Sequence, residues 1–299
     1  PELTPWSGQL LEQYRAIHPG FQRLVLDGGR VVLTLLIGDA LQMLPQLDAR
    51  IDVWFLDGFA PDKNPQMWTP PLFQELARLS APGASLATFT SKGTVRRDLI
   101  EAGFAMRRAP GYGKKWEILC GRFEGHAPAA EKPWHDRPPR PEARAALVIG
   151  AGLAGCATAA SLAARGWQVT LLERHEAVAQ EASGNPQGVL YLKLSAHGTA
   201  LSQLVLAGFG HTRRLLQHLQ QGHDWDACGV LQLAFDAPEA GRQAKLAEAF
   251  PADLLHSLTR EQAEARVGVA LPAGGLFYPD AGWVHPPALC RQLASHPRI

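Results

Sequence analysis

The segment that most constrains this chain is a glycine turn, Gly150-Ala151-Gly152-Leu153-Ala154-Gly155, set between a strand and a helix. The apolar run 145–149 before it predicts a buried strand, and the small and apolar residues after it predict a helix that ends at Gly166. A second apolar run, 169–172, closes on Glu173. This order of strand, turn, helix, strand and acid is typical of the unit that binds dinucleotides.

The spacing of the three glycines has a physical reason. Gly150 permits the tight turn, Gly152 lets the backbone approach a pyrophosphate, and Gly155 lets helix and strand pack closely. The helix N-terminus then offers free N–H groups and the positive end of its dipole to the phosphates. Glu173 stands where an acid that binds a ribose is expected. The alternative, a glycine-rich turn without a ligand, leaves the complete unit unexplained.

The residues after Glu173 favour FAD over NAD as the dinucleotide. They form a polar, glycine-containing loop followed by the apolar run GVLYLKLSAH, and this segment resembles the flavin-contacting segment of the glycine oxidase and D-amino acid oxidase group. The run 274–284 resembles the entry to the substrate domain of the same group. The resemblance predicts that the FAD site also includes Arg174, Ser183, Gly184, Asn185 and Gly188.

The first half of the chain alternates apolar runs with amphipathic segments. Strands are predicted at 30–39, 51–59 and 83–90, with helices between them and a hairpin near residues 104–123. This alternation predicts an α/β fold with a parallel sheet that is covered on both faces. Ligands of such sheets bind beyond the carboxyl ends of the strands, where Asp39 and Asp57 are expected side by side.

The loop from Asp57 to Trp68, DGFAPDKNPQMW, follows a predicted strand and contains two prolines, as stiff active-site loops do. A carboxylate at the strand end can hold an amine and accept its proton during methyl transfer. Phe59, Met67 and Trp68 offer a stacking surface for a base, and Lys63 a partner for a phosphate. Two alternatives stay open: Asp39 as a helix N-cap, and Trp68 as an ordinary core residue.

Composition limits the remaining possibilities. Hydrophobic residues make up 46% and charged residues 19% of the 299 residues, which is typical of globular domains. The net charge of +1 gives no bulk support for nucleic-acid binding, so any basic surface must be local. The four cysteines are scattered and predict reduced thiols, no metal site and a cytoplasmic protein. We expect no membrane span and no leader segment.

The Pro-rich and charged stretch 125–144 predicts an extended linker between two domains, residues 1–124 and 145–299. Together the motifs resemble the bifunctional tRNA 5-methylaminomethyl-2-thiouridine biosynthesis (MnmC) family. The resemblance rests on PELTPW, DGFAPDKNPQMW, ATFTSKGTVRRDLIEAGF, GYGKKWEILCG and the glycine turn with SGNPQG. It implies a partial class I methyltransferase domain fused to a partial FAD domain of the glycine oxidase type, and therefore an internal fragment.

The resemblance also implies a function. The FAD domain would remove the carboxymethyl part of a carboxymethylaminomethyl group on the wobble uridine of tRNA. The methyltransferase domain would then methylate the resulting amine with S-adenosylmethionine. Asp57 matches the catalytic-loop acid, Asp39 the acid near the adenine of S-adenosylmethionine, and the loop also carries Asn64. Lys114 and Lys115 on the hairpin, with Arg107 and Arg108, would meet tRNA phosphates; a solvated basic hairpin is the alternative.

Two other functions are compatible with parts of the chain. A small-molecule amine oxidase with an inactive N-terminal domain would keep FAD, but it leaves the loop from Asp57 to Trp68 unexplained. A non-catalytic tRNA-binding protein would leave the glycine turn unexplained. We expect a monomer that acts on tRNA and uses FAD and S-adenosylmethionine.

Overall fold

The computed structural model describes residues 3–14, 18–113, 115–126 and 141–299. The chain divides into two compact units: one joins residues 1–35 to 140–299, and the other comprises residues 36–139. Residues 127–140 of the predicted linker lie outside the described part, so the linker stays a prediction.

The described α-helices and strands follow the order of the chain. The helices are α1 (Thr4–Gln13), α2 (Ala40–Met43), α3 (Pro70–Leu79), α4 (Gly93–Glu101), α5 (Leu153–Ala163), α6 (Ala200–Leu216), α7 (Ala237–Ala249), α8 (Arg260–Val267) and α9 (Pro286–Ala294). The strands are β1 (Gly20–Leu26), β2 (Val31–Ile37), β3 (Ile51–Leu56), β4 (Ser80–Thr88), β5 (Phe104–Pro110), β6 (Glu117–Phe123), β7 (Ala145–Ile149), β8 (Gln168–Leu172), β9 (Gly188–Leu190), β10 (Trp225–Asp226), β11 (Val230–Leu233), β12 (His256–Leu258), β13 (Gly275–Tyr278) and β14 (Gly282–Val284). No helix in these ranges is both long and apolar enough to cross a membrane.

The unit of residues 36–139 contains a four-stranded sheet in the order β3-β4-β6-β5. Strands β3 and β4 are parallel, while β6 is antiparallel to both β4 and β5. Strand β5 therefore runs in the same direction as β3 and β4, and these three strands end at one edge. The register places Leu56, Thr88, Leu119 and Arg108 in one row across the sheet near that edge.

One face of this sheet carries the core of the unit. Phe73 and Leu76 of α3 and Leu99 of α4 pack there with inward-facing residues of the strands. On the opposite face, Phe55 is 81% exposed and nothing in the described chain packs on it. The expectation of a sheet covered on both faces is therefore wrong for the described part, because α3 and α4 lie on the same side.

Strand β2 departs from its predicted place. It pairs with β1 in a separate two-stranded sheet rather than with β3. The prediction that Asp39 and Asp57 end neighbouring strands of one sheet is therefore wrong. The apolar residues of β2 satisfy the pattern of a strand, but the pattern does not specify which strand is its neighbour.

The unit that holds residues 140–299 begins with the predicted strand-turn-helix-strand. Strands β7 and β8 are parallel, and α5 connects them. Helix α9 packs on α5 through Cys156, Cys290 and Leu293. The segment after α9 also contacts β8, because the N–H of Val169 in β8 donates to the carbonyl of Arg298 at 2.7 Å.

Two three-stranded antiparallel sheets complete this unit, in the orders β10-β14-β9 and β11-β13-β12. The pattern of residues 274–294 predicts one strand, a turn and a helix that opens after Pro286-Pro287. The structure instead forms two strands, β13 and β14, which belong to different sheets, before α9 begins at Pro286. Helices α6 and α7 cover the second sheet with Leu206, Phe209 and Leu246, which pack with Tyr278.

The four cysteines are all unpaired, in agreement with the sequence, and they differ in exposure. Burial raises the pKa of the Cys156 thiol and raises that of Cys290 to about 12.

We expect iodoacetamide at about pH 8 to modify exposed Cys228 first, because a thiolate is the nucleophile. Cys156 and Cys290 should react only after unfolding. Peptide mass spectrometry against time tests this order, and early labelling of Cys290 would contradict it.

Candidate functional sites

The glycine turn has the geometry that its sequence predicts. Gly150 adopts φ of +93° and its N–H donates to the carbonyl of Leu172 at 2.7 Å, which joins the turn to the end of β8. A Cβ on Gly155 would overlap the carbonyl oxygen of Gly150. Gly152 is the N-cap of α5 and has no side chain to satisfy the first N–H groups of the helix. A helix N-terminus without a side-chain cap from its own N-cap residue is a favourable place for an anion.

Glu173, which follows β8, is hydrogen-bonded to this turn. Its carboxylate accepts from the N–H of Ala151 at 2.7 Å and from the N–H groups of Arg174 and His175 at 2.8 and 3.1 Å. These backbone hydrogen bonds, that of Ala151 first, hold the pKa of Glu173 below its ordinary value. Glu173 is thus an ionised acceptor beside the glycine turn, as binding of a ribose hydroxyl requires.

The lowered pKa of Glu173 has a consequence for stability. A carboxylate whose pKa is lower in the folded chain stabilises it above the ordinary pKa of glutamate, and this contribution is lost as the pH falls through the lowered value. We expect Glu173→Gln to lower the melting temperature near neutral pH, and the difference from wild type to shrink on acidification.

Thermal melts between about pH 3 and pH 7 measure this difference. Glu176→Gln is the matched control, because Glu176 is exposed and makes no hydrogen bond among the described residues. A difference that stays constant with pH would contradict the role of the Glu173 carboxylate.

The loop after Glu173 returns to the glycine turn. The hydroxyl of Ser183 accepts from the N–H of Leu153, the first residue of α5, at 3.0 Å. A Cβ on Gly152 would lie 3.0 Å from the same hydroxyl oxygen. The structure thus brings Ser183 to the helix N-terminus, where phosphates of a dinucleotide would lie.

The other residues predicted to bind FAD lie on the same loop. Arg174 forms an ion pair with Glu181, and His175 Nε2 lies 2.7 Å from the same carboxylate. A Cβ on Gly184 would lie 2.8 Å from the carbonyl oxygen of Ala179, and the amide of Asn185 donates to the carbonyl of Ala182 at 3.1 Å. Gly188 opens β9 opposite Val284. These contacts give the loop a fixed shape beside the turn.

The acidic loop of the other unit begins at the end of β3. Asp57 is exposed, and its carboxylate accepts from the N–H of Gly58 at 2.8 Å. The N–H groups of Lys63 and Asn64 donate to the carbonyl of Ala60 at 2.7 and 3.0 Å, which makes a compact turn. Lys63 is exposed and Asn64 is half-buried. Asp57 therefore has an exposed carboxylate on a hydrogen-bonded loop.

The aromatic residues of this loop divide into two roles. Trp68 is 7% exposed, packs edge-on against Phe89 at 5.7 Å, and donates its indole N–H to the carbonyl of Phe59 at 2.9 Å. Of the two interpretations of Trp68, the structure shows the core residue, so its ring is not offered to a base. Phe59 is 70% exposed, so its ring remains available for stacking beside Asp57.

Asp39 performs the capping role that the sequence left open. Its carboxylate accepts from the N–H groups of Leu41 and Gln42 at 3.0 and 3.2 Å, at the start of α2. A cap of this kind stabilises a helix by about 1 kcal/mol. The carboxylate has further lone pairs for a hydroxyl group, so the role predicted from the resemblance stays a prediction.

The hairpin of β5 and β6 is confirmed and carries two residues that sequence reasoning missed. Tyr112 and Trp116, in its turn, are 97% and 89% exposed. Lys115 lies with its Nζ 5.0 Å from the centre of the Phe89 ring, and Lys114 falls outside the described residues. The signal was available, because an aromatic residue beside a glycine turn of a hairpin has no sheet face to cover.

Comparison with known proteins agrees with this arrangement. A model of the FAD dependent oxidoreductase family matches residues 145–298, more than half of the chain. The chain belongs to the FAD dependent oxidoreductase family. Within that family's match lie the glycine turn, Glu173 and the Ser183 loop, which agrees with the predicted FAD. A model described as S-adenosyl-L-methionine-dependent methyltransferase matches residues 1–124, which agrees with the second predicted cofactor.

Relatives of this FAD dependent oxidoreductase also contain both regions. The tRNA 5-methylaminomethyl-2-thiouridine biosynthesis bifunctional proteins MnmC of Pseudomonas paraeruginosa (strain PA7) and Pseudomonas aeruginosa (strain PAO1) are 75% and 74% identical to it. Each alignment covers 100% of this chain and 46% of the relative. The resemblance to the MnmC family and the α/β fold class are thereby confirmed, and the chain spans less than half of the length of these relatives.

Among solved structures, glycine oxidase from Bacillus cereus is 23% identical and matches 51% of this chain and 43% of its own, with a TM-score of 0.40.

Proposed function

We propose that this chain forms part of a bifunctional enzyme that modifies the wobble uridine of tRNA. The FAD-binding region removes the carboxymethyl part of 5-carboxymethylaminomethyl-(2-thio)uridine and leaves the 5-aminomethyl group. The methyltransferase region then methylates this amine to give 5-methylaminomethyl-2-thiouridine. The observation that carries the proposal is the high identity to MnmC proteins across both regions of the chain.

The residues predicted to bind FAD have the chemistry that this cofactor requires. FAD, when bound, supplies a two-electron acceptor for oxidation of the carbon–nitrogen bond; water then hydrolyses the oxidised bond, so the carboxymethyl part leaves as glyoxylate and the amine remains. The N-terminus of α5 would hold its phosphates, with Gly152 allowing their close approach. Glu173 would accept a hydrogen bond from its ribose, and Ser183 would border the phosphates. Two observations support this assignment. The Glu173 carboxylate is ionised and half-buried, and it lies beside the N-terminus of α5, where Gly152 provides no side-chain cap.

The methyl-transfer step rests on Asp57. S-adenosylmethionine, when bound, supplies the methyl group, and Asp39 would lie near its adenine. The amine must lose a proton to expose its lone pair, and a carboxylate at the end of β3 is placed to accept that proton and orient the nitrogen. The order of the two reactions follows from chemistry, because the oxidation creates the primary amine that the second step methylates.

The test uses the complete protein that contains this chain and tRNA from cells that lack this activity. FAD and S-adenosylmethionine are supplied, and the nucleosides are analysed by mass spectrometry. Conversion of carboxymethylaminomethyl uridine to the methylaminomethyl form supports the proposal. Unchanged tRNA with oxidation of free glycine or sarcosine would replace it with a small-molecule amine oxidase.

A further inference from the structure

The turn between β5 and β6 presents two aromatic side chains to solvent. Tyr112 is 97% exposed and Trp116 is 89% exposed, and no described residue packs over either ring. Trp116 also borders a shallow groove with Arg108, Pro110 and Glu117. Two large rings exposed on one hairpin turn contribute nothing to the core of the unit and leave a local aromatic surface that is available to another molecule.

The fold brings this turn to the edge of the sheet that carries Asp57. Strand β5 ends at the same edge as β3 and β4, and the register aligns Leu56 of β3 with Leu119 of β6 through Thr88. Two strand spacings separate β3 from β6, which corresponds to about 10 Å. The hairpin turn and the acidic loop thus lie on one side of the same rigid sheet.

A series of contacts joins the hairpin turn to the acidic loop. Lys115 lies over the ring of Phe89, Phe89 packs against Trp68, and Trp68 donates to the carbonyl of Phe59. Phe59 itself is exposed beside Asp57. The inner pair of rings, Phe89 and Trp68, therefore lies between Lys115 of the hairpin turn and the acidic loop.

The charges around these rings favour a polyanion. Lys115 lies in the turn and Arg107 on β5, both without a carboxylate partner among the described residues, while Arg108 pairs with Glu117 at 3.3 Å. Exposed aromatic rings with adjacent cations match unpaired nucleic acid, because each base offers a face for stacking and each nucleotide a phosphate.

We propose that Trp116 and Tyr112 stack on unpaired bases of the RNA substrate and position it for the chemistry at Asp57. A base that is modified must leave its own stack, and its neighbours then need other surfaces to cover their faces. The hairpin carries these rings at the same edge of the sheet as the acidic loop, on a strand, β6, that lies about 10 Å from β3. This inference rests on the proposed function, and it makes both residues positioning residues.

The test measures methylation kinetics with the complete protein, S-adenosylmethionine and tRNA that carries aminomethyl uridine. The variants are Trp116→Ala, Tyr112→Ala and Trp116→Phe. Phe235→Ala is the matched control, because Phe235 is 77% exposed and lies in the other unit. Each residue that is replaced is exposed, so melting temperatures should stay close to wild type.

We expect Trp116→Ala and Tyr112→Ala each to raise the KM for tRNA at least about fivefold, the lower limit for loss of one stacked base, and to leave kcat within about twofold. Trp116→Phe should restore most of the KM, and Phe235→Ala should leave it unchanged. Alanine variants with the wild-type KM would overturn the stacking role, as would a phenylalanine variant as impaired as alanine. If wild-type protein methylates no tRNA, the proposed function itself is wrong.

Discussion

Replacing Asp57 with asparagine is expected to reduce methylation of the aminomethyl uridine by about 10² to 10⁴, the usual effect of removing a general base. Asparagine keeps the size and the acceptor oxygen of aspartate, so the hydrogen bond from Gly58 survives. It cannot accept the proton of the amine. Removal of the carboxymethyl group should continue, because it depends on residues of the other unit, and aminomethyl uridine should accumulate in the tRNA.

Nucleoside mass spectrometry after incubation with both cofactors measures this accumulation. Asp52→Asn is the matched control, because Asp52 is an exposed carboxylate on the same strand, β3. It should leave both reactions at the wild-type rate. Full methylation by the Asp57 variant would remove Asp57 from the catalytic role, and a block before aminomethyl uridine would show that the variant disturbs the whole protein.

Replacing Gly155 with alanine has the second large expected effect. The new Cβ would overlap the carbonyl oxygen of Gly150, which is backbone and cannot move away as a flexible side chain would. Relief of this overlap must open the turn or shift α5. Overpacking of this kind costs about 1–3 kcal/mol, which corresponds to a loss of FAD affinity of about 5- to 150-fold.

Titration of the complete apoprotein with FAD, followed by flavin fluorescence, gives the affinity. Gly208→Ala is the matched control, since Gly208 lies within α6 and a methyl group added there would have nothing within 4 Å. That change should leave FAD affinity intact and raise stability by about 0.5–1 kcal/mol. Wild-type affinity in the Gly155 variant would show that the turn does not hold the phosphates.

The features that sequence predicted well are those that depend on nearby residues. The glycine turn, α5 and β8 lie within about 25 residues of one another, and their pattern specifies both the elements and their contact. The hairpin of β5 and β6 is likewise local. Asp39 was ambiguous because a strand-ending acid suits both a cap and a ligand, and only the observed hydrogen bonds to Leu41 and Gln42 reveal the cap.

The features that escaped prediction depend on distant residues. The apolar pattern of β2 does not identify β1 as its partner, and the pattern of residues 274–284 does not reveal that β13 and β14 join different sheets. Trp68 has the same local sequence whether it is exposed or buried, and its burial depends on Phe89 from the end of β4. Trp116 differs from these features, because its place beside the glycine turn of the hairpin already indicates its exposure.

The pairing of β9 with β14 has a consequence for the order of events during synthesis. Gly188 pairs with Val284, so the partner of β9 emerges from the ribosome about 100 residues later, a delay of about 5–20 s at ordinary rates of translation. Contacts this distant in sequence form slowly because a long loop must first close. Ser183 and Gly188 flank the segment expected beside the flavin. Cofactor insertion should therefore be a late step, after β14 has been made, while the β5–β6 hairpin of the other unit can form early.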